Sequence, residues 1–220
     1  MKYKHIIFDL DGTLIDTEAT VLNSLKETLK ETHNIDYTLE DLNFALGIPG
    51  TTALQQLKID NIEKVLSVWH LKFKDHFSKV RLFPGIKELL FTIKEKKIKI
   101  GVLTSKTRLE YIEDFIPFGI GDKIDISLCI DDYKVPKPSA AGMVLYLKQA
   151  GIKADEALYI GDTLYDYQCA RDAGVDFGLA VWGCKKIEGI NAKYFFLSPE
   201  EMNTLIKSKS ELEEGLANNG

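Results

Sequence analysis

The 220-residue sequence has little of what would tie it to a membrane, a secretory route or a nucleic acid. Its three cysteines, Cys129, Cys169 and Cys184, are widely spaced and odd in number. That pattern argues against a disulfide framework and for reduced thiols in a cytoplasmic protein. No apolar run approaches the roughly 20 residues needed to span a bilayer, so no membrane partner is expected. The opening stretch, MKYKHIIFDLDG, carries an apolar run too short for a signal peptide. Histidines are few, and His5, His33, His70 and His76 show no zinc-type spacing with cysteine. Positive charge is in deficit, with 28 lysines and arginines against 33 acids and a net charge of −5. This balance argues against a nucleic-acid partner. It leaves room for a phosphorylated small molecule, because a bound metal inverts the local field. No internal repeat is visible, and a monomer or weak homodimer is expected.

What is there, 45% apolar and 28% charged residues, is enough for one good core and a smaller module. The organising stretch is His5–Asp16. Ile6-Ile7-Phe8 reads as a buried parallel strand, ending abruptly in Asp9-Leu10-Asp11-Gly12-Thr13. Side chains alternate along a strand, so Asp9 and Asp11 project to the same side. In an open α/β sheet that end of the strand faces the ligand crevice. Two neighbouring carboxylates repel unless a cation lies between them or one takes a proton. Oxygen-only ligands favour Mg²⁺. One carboxylate can then attack phosphorus while the other moves protons. An Asp-Gly turn with no chemistry is the plainer alternative.

Beyond Asp16 the pattern becomes helical. Val21, Leu22, Leu25 and Leu29 recur at helical spacing, and Thr38 with Asp41 signals a second helix start. Thr51–Leu57 and Asn61–Phe77 read as further helices around the loop Gly47-Ile48-Pro49-Gly50. Residues 17–82 thus form an all-helical insertion. Phe83-Pro84-Gly85 marks the return to alternating elements. Helices are expected over 86–96, from Thr107 to about 116, over 140–150 and over 164–173. Strands are expected over 97–104, 124–130, 157–160, 177–181 and 194–197. Ser198-Pro199-Glu200-Glu201 opens a last helix, and residues 209–220 read as a polar, frayed tail. The expectation is an α/β protein: a doubly wound parallel sheet formed by residues 1–16 and 83–208, with the helical block inserted over its first strand.

Other strand ends carry matching chemistry. Thr104-Ser105 offer hydroxyls and backbone N–H groups to a phosphate, although both types also serve as turn formers. Lys137 is held between Pro136 and Pro138 and is presented stiffly enough to bridge nucleophile and phosphoryl oxygens. Lys134 is its rival. Gly161-Asp162 with Asp166 places two acids on one face of a first helical turn, where they also suit the helix dipole. Asp162 would add a metal oxygen beside strand 1, and Asp166 would orient Lys137 or a metal-bound water.

These four motifs, in this order, resemble the haloacid dehalogenase (HAD) superfamily. The resemblance is to its capped phosphatases of the phosphoglycolate phosphatase and β-phosphoglucomutase kind. It covers all but the tail. It implies a Rossmann-like HAD core and a Mg²⁺-dependent phosphoric monoester hydrolase working through an aspartyl-phosphate on a small phosphorylated metabolite. By resemblance, Asp9 is the nucleophile and a metal ligand. Asp11 is the general acid/base, lending its backbone carbonyl to the metal. Thr104, Ser105 and Lys137 hold the phosphoryl group, Asp162 completes the metal site, and Asp166 stands beside it. Pro49, Gly50 and Thr51 of the cap loop would touch the leaving group.

Dehalogenases lack the second aspartate, and phosphonate hydrolases carry a cap-loop lysine absent here. Sugar phosphomutases place a histidine and an arginine where Val21 and Gly50 stand, which weakens the mutase reading and leaves it as the alternative. A phospho-accepting receiver module would lack both the inserted helices and the fourth motif. Phosphoglycolate, a sugar phosphate, a nucleotide and pyrophosphate all fit as substrates.

Overall fold

The computed structural model describes residues 2–133 and 135–217, with residues 209–217 as backbone only. Lys134, the rival of Lys137, lies outside the described residues. The short strand β1 (His5–Phe8) is buried at every position. Its neighbours are β4 (Lys99–Leu103) and β6 (Ala157–Gly161), both parallel to it. β5 (Ile126–Leu128) extends the sheet on one side, and β7 (Asp176–Ala180) and β8 (Tyr194–Phe196) extend it on the other. The order β5-β4-β1-β6-β7-β8 reverses direction at β1, the switch point where open α/β sheets bind ligands.

Alternation along β1 feeds two cores. Ile6 and Phe8 pack with α5 (Ile86–Glu95), α6 (Arg108–Asp114) and α9 (Pro199–Ala217). Ile7 packs on the opposite face with α7 (Ala141–Ala150) and α8 (Leu164–Asp172). This is the doubly wound parallel arrangement expected from the alternating pattern.

The insertion has a core of its own. In α1 (Glu18–His33), Leu22, Leu25 and Leu29 face Val65 and Trp69 of α4 (Ile62–Asp75). Between them, α2 (Leu39–Leu42) and α3 (Gly50–Gln56) contribute Leu42, Ala53 and Leu54. Each buried leucine contributes about 1.5–3 kcal/mol to holding these helices together. The capping boxes read at Thr38–Asp41 and Thr107–Glu110 are both formed. Gly174 follows α8 at φ +72, the left-handed position that favours glycine.

Beyond small shifts at element ends, three features differ from the sequence reading. A two-residue ribbon, β2 (Ile15–Asp16) against β3 (Arg81–Leu82), joins the two chain crossings between core and insertion, and Arg81 pairs with Asp16 at 3.2 Å. Two residues carry no readable period, so this strand inside 17–82 was not foreseen. β5 spans only part of 124–130 because it is a sheet edge, with partners on one side. α9 continues through residues 209–217, so the helix reaches into the stretch read as tail, whose last residues, 218–220, lie outside the described residues. Met202 and Ile206 dock α9 on the sheet, and each further residue then adds a helical hydrogen bond at little cost.

Candidate active site

Register decides which side chains meet. Phe8 is level with Val102 and Ile160, so Asp9, Thr104 and Asp162 emerge together at the carboxyl edge of three adjacent strands. Asp9, Asp162 and Asp166 each offer an oxygen, all within 4.8 Å of one another, and all three residues are buried. Burial pushes the Asp9 carboxyl up to about 7, against the pull of Lys137 and with the help of Asp166 and Asp11. Burial also raises Asp162 well above the usual carboxylate range, with the Asp166 and Asp9 charges adding to it. Three such groups in one pocket call for positive charge.

One cation is built in. Lys137 is buried completely, with its Nζ 2.9 Å from Asp9 Oδ1 and 2.6 Å from Asp166 Oδ1. Burial alone would lower its pKa, but Asp166 and Asp9 raise it well above the ordinary lysine value, so the site holds an ammonium. Asp166 is fully used. Its Oδ1 accepts from Lys137 and from the Tyr159 hydroxyl (2.7 Å), and its Oδ2 accepts from the Thr163 N–H (3.1 Å) in the cap of α8. The same carboxylate therefore sits in the first turn of α8, as the helix-dipole reading had it, and holds Lys137.

Asp11 lies apart from this cluster. Its Oδ1 accepts from the Thr17 hydroxyl (2.7 Å) and stands 3.4 Å from Lys106 Nζ. Lys106 also pairs with buried Asp114 at 2.8 Å and lies 4.9 Å over the Phe73 ring of α4. Burial opposes the charge on Lys106, and Asp11 and Asp114 raise its pKa above the usual lysine value.

Glycine makes the close approach possible at one turn. Gly12 has φ +77, and a Cβ there would fall 2.2 Å from Asp162 Oδ2. Thr13 beside it donates its hydroxyl to Asp162 Oδ1 at 3.1 Å. Ser105 donates to the Gly47 carbonyl at 3.0 Å, tying the cap loop to the second strand end. Thr104 is wholly buried, its hydroxyl accepting the Lys106 N–H at 3.2 Å, and it does not reach the cavity wall.

Above the carboxylates lies a cavity of about 910 Å³ between insertion and core. Asp9, Asp11, Asp162, Ser105, Pro49, Gly50 and Thr51 line it. Lys106, Thr17, Tyr159 and the loop Trp182-Gly183-Cys184 were missed by the sequence reading. Lys106 adjoins Ser105, and the loop follows the end of β7, so both stood at strand ends where ligands bind. Trp182 Nε1 donates to the Thr13 carbonyl at 2.9 Å, closing this loop onto the first motif. Tyr159 gave no signal, being one aromatic in an apolar strand.

Known proteins resemble this chain in sequence and in fold. Residues 6–180 match the family described as Haloacid dehalogenase-like hydrolase. Pyrophosphatase PpaX of Halalkalibacterium halodurans is 24% identical over 96% of this chain and 100% of its own length. A proposed pyrophosphatase PpaX of Caldanaerobacter subterraneus is 30% identical over 94% of each chain. A solved structure, a proposed phosphoglycolate phosphatase from Lactobacillus plantarum, matches with a TM-score of 0.83 at 25% identity. That match covers 93% of this chain and 100% of the other. With the motifs, the sheet order and the buried aspartates in agreement, the chain belongs to the haloacid dehalogenase-like hydrolases and is a phosphatase of that family.

Proposed function

We propose that the protein is a Mg²⁺-dependent phosphatase that hydrolyses a small phosphorylated metabolite through an aspartyl-phosphate on Asp9. The observation that carries this reading is the buried Asp9 carboxylate, 2.9 Å from a buried lysine ammonium, on the floor of a covered cavity. An all-oxygen donor set fits a hard divalent cation. Asp9 and Asp162 would hold Mg²⁺, with the Asp11 backbone carbonyl added by family resemblance and Asp166 beside them. Bound there, the ion would screen the repulsion between phosphoryl oxygens and Asp9.

The chain's own groups account for the rest. An Asp9 oxygen bonds to phosphorus as the bond from phosphorus to the leaving oxygen breaks, and Asp11 gives that oxygen a proton. Asp11 then takes a proton from water, whose oxygen bonds to phosphorus as the Asp9–phosphorus bond breaks. Lys137 neutralises the phosphoryl charge from a fixed position, since Asp166 and Tyr159 hold it. Ser105 and the N–H groups after β4 complete the phosphoryl site, and Thr104 supports it from below.

The three unpaired thiols suit the reducing cytoplasm, and among the described residues no helix is long and apolar enough to cross a membrane. Phosphate release is measured after chelation and after add-back of metal. Activity lost with chelator and restored by Mg²⁺ is expected, with Asp162→Ala shifting the Mg²⁺ requirement upward. Full turnover in excess chelator would overturn the metal assignment.

A further inference from the structure

The relatives' names point to pyrophosphate, yet the cavity over the nucleophile is built for something less charged. Its upper wall is apolar: Leu46, Ile48, Leu66, Trp69 and Phe73 from the insertion face Trp182 of the core. Trp69 is fixed in that wall, with its Nε1 donating to Ser24 Oγ at 2.9 Å. Gly50 lets the wall close up, since a Cβ there would come within 2.9 Å of Leu66 and 3.2 Å of the Trp69 ring. At the mouth, Leu71 of α4 and Leu109 of α6 both border the cavity and are 63% and 58% exposed. Solitary exposed leucines are ordinary, but these two border one cavity.

The charges away from the nucleophile are unsuited to a second phosphate. Asp16, Glu18, Glu110 and Asp131 line the same space. Each lining base already faces an acid: Lys106 pairs with Asp114 (2.8 Å), His70 with Glu113 (2.9 Å) and Lys185 with Glu18. No arginine lines the cavity among the described residues. At about 910 Å³ the space stands near the top of the range for pockets that enclose whole organic ligands. A bare diphosphate would leave most of it to water.

We infer that the substrate is a phosphate monoester of an uncharged alcohol bearing a ring or comparable apolar group, which packs against Trp69, Phe73 and Trp182. This rests on the phosphatase reading above and names the leaving group it acts on. The apolar wall discriminates by burial, and burying a ring-sized group there raises kcat/KM roughly 10–100-fold over a short alkyl ester.

The test compares kcat/KM for 2-phenylethyl phosphate, ethyl phosphate and pyrophosphate with Mg²⁺ present. The phenylethyl ester should lead ethyl phosphate by roughly 10–100-fold, and pyrophosphate should trail it by at least about tenfold. Leu71→Ser with Leu109→Ser, two uncharged changes at the cavity border, should narrow the ratio of phenylethyl to ethyl kcat/KM; an unchanged or widened ratio would count against the inference. Pyrophosphate equalling or exceeding the phenylethyl ester, or ethyl phosphate matching it, would overturn the inference. A binding arm keeps this separate from the chemistry, using Asp9→Asn protein with 2-phenylethylphosphonate and methylenediphosphonate in excess Mg²⁺. Tighter phenylethylphosphonate supports the substrate class even if no ester turns over, an outcome that would count against the phosphatase reading alone. Tighter methylenediphosphonate overturns the substrate class.

Discussion

Lys106 is the buried cation the sequence reading passed over, and removing it should separate stability from catalysis. Its ammonium, on a side chain only 10% exposed, stands 2.8 Å from Asp114 and 3.4 Å from Asp11. At an effective dielectric of about 20 these contacts are worth about 6 and about 5 kcal/mol of attraction. Burying the ammonium and two carboxylates costs several kcal/mol per ion, so the intact network contributes little net stability. Breaking it is another matter. Lys106→Met keeps the stem beneath Phe73 but strands the Asp114 carboxylate, which is 3% exposed, at a cost of about 3–5 kcal/mol. The double variant Lys106→Met with Asp114→Leu removes the stranded charge and should recover most of that loss. It should not recover turnover, because Asp11 still lacks the cation that fixes it. Urea unfolding at constant slope reads the first effect. The second is read from kcat/KM on two esters. An alkyl phosphate needs a proton from Asp11 and should lose roughly 10²-fold or more, whereas 2,4-dinitrophenyl phosphate, with a leaving group that needs none, should lose little. Two results would refute the reasoning: a single variant within about 1 kcal/mol of wild type, or a double variant with full alkyl-ester turnover.

Gly12→Ala should inactivate the protein, because its Cβ would fall 2.2 Å from Asp162 Oδ2 at φ +77; metal-dependent phosphate release and circular dichroism together would distinguish a lost site from a lost fold. Asp125 binds Lys94 and Lys99 at 2.9 Å each and accepts the Ile100 N–H. Burial would raise its pKa, but these partners outweigh it and hold the carboxyl at about 2. A depressed folded pKa means stability that is present above the unfolded value near 4 and lost as pH falls toward 2. Asp125→Asn should therefore cost about 2 kcal/mol at neutral pH and flatten stability between about pH 4 and pH 2, measured by urea midpoints across that range.

The strand ends that carry the candidate site were legible because they follow from periodicity. Apolar strands ending in Asp9, Thr104 and Asp162 declare a parallel sheet and its ligand edge, and the register brings them within one residue of level. The Thr38 and Thr107 capping boxes were legible for the same local reason. What was not legible depends on contacts between distant segments. Lys106 reads as an ordinary lysine until Asp11, Asp114 and Phe73 converge on it, and Tyr159 gains its role only from Asp166 and Lys137. The β2–β3 ribbon is too short to carry a pattern, and its partners are separated by the whole insertion. The loop at Trp182-Gly183 acts through shape: a Cβ on Gly183 would fall 1.8 Å from the Gly12 carbonyl oxygen, which no local motif announces.

The central claim, that Asp9 is the group that bonds to phosphorus, is tested by acid quench during turnover and mass analysis of the peptide containing residues 5–16. The account predicts a phosphoryl mass on Asp9, discharged by hydroxylamine and absent in Asp9→Asn, which releases no phosphate. Phosphate release by Asp9→Asn at the wild-type rate, or turnover with the label on another residue, would contradict it.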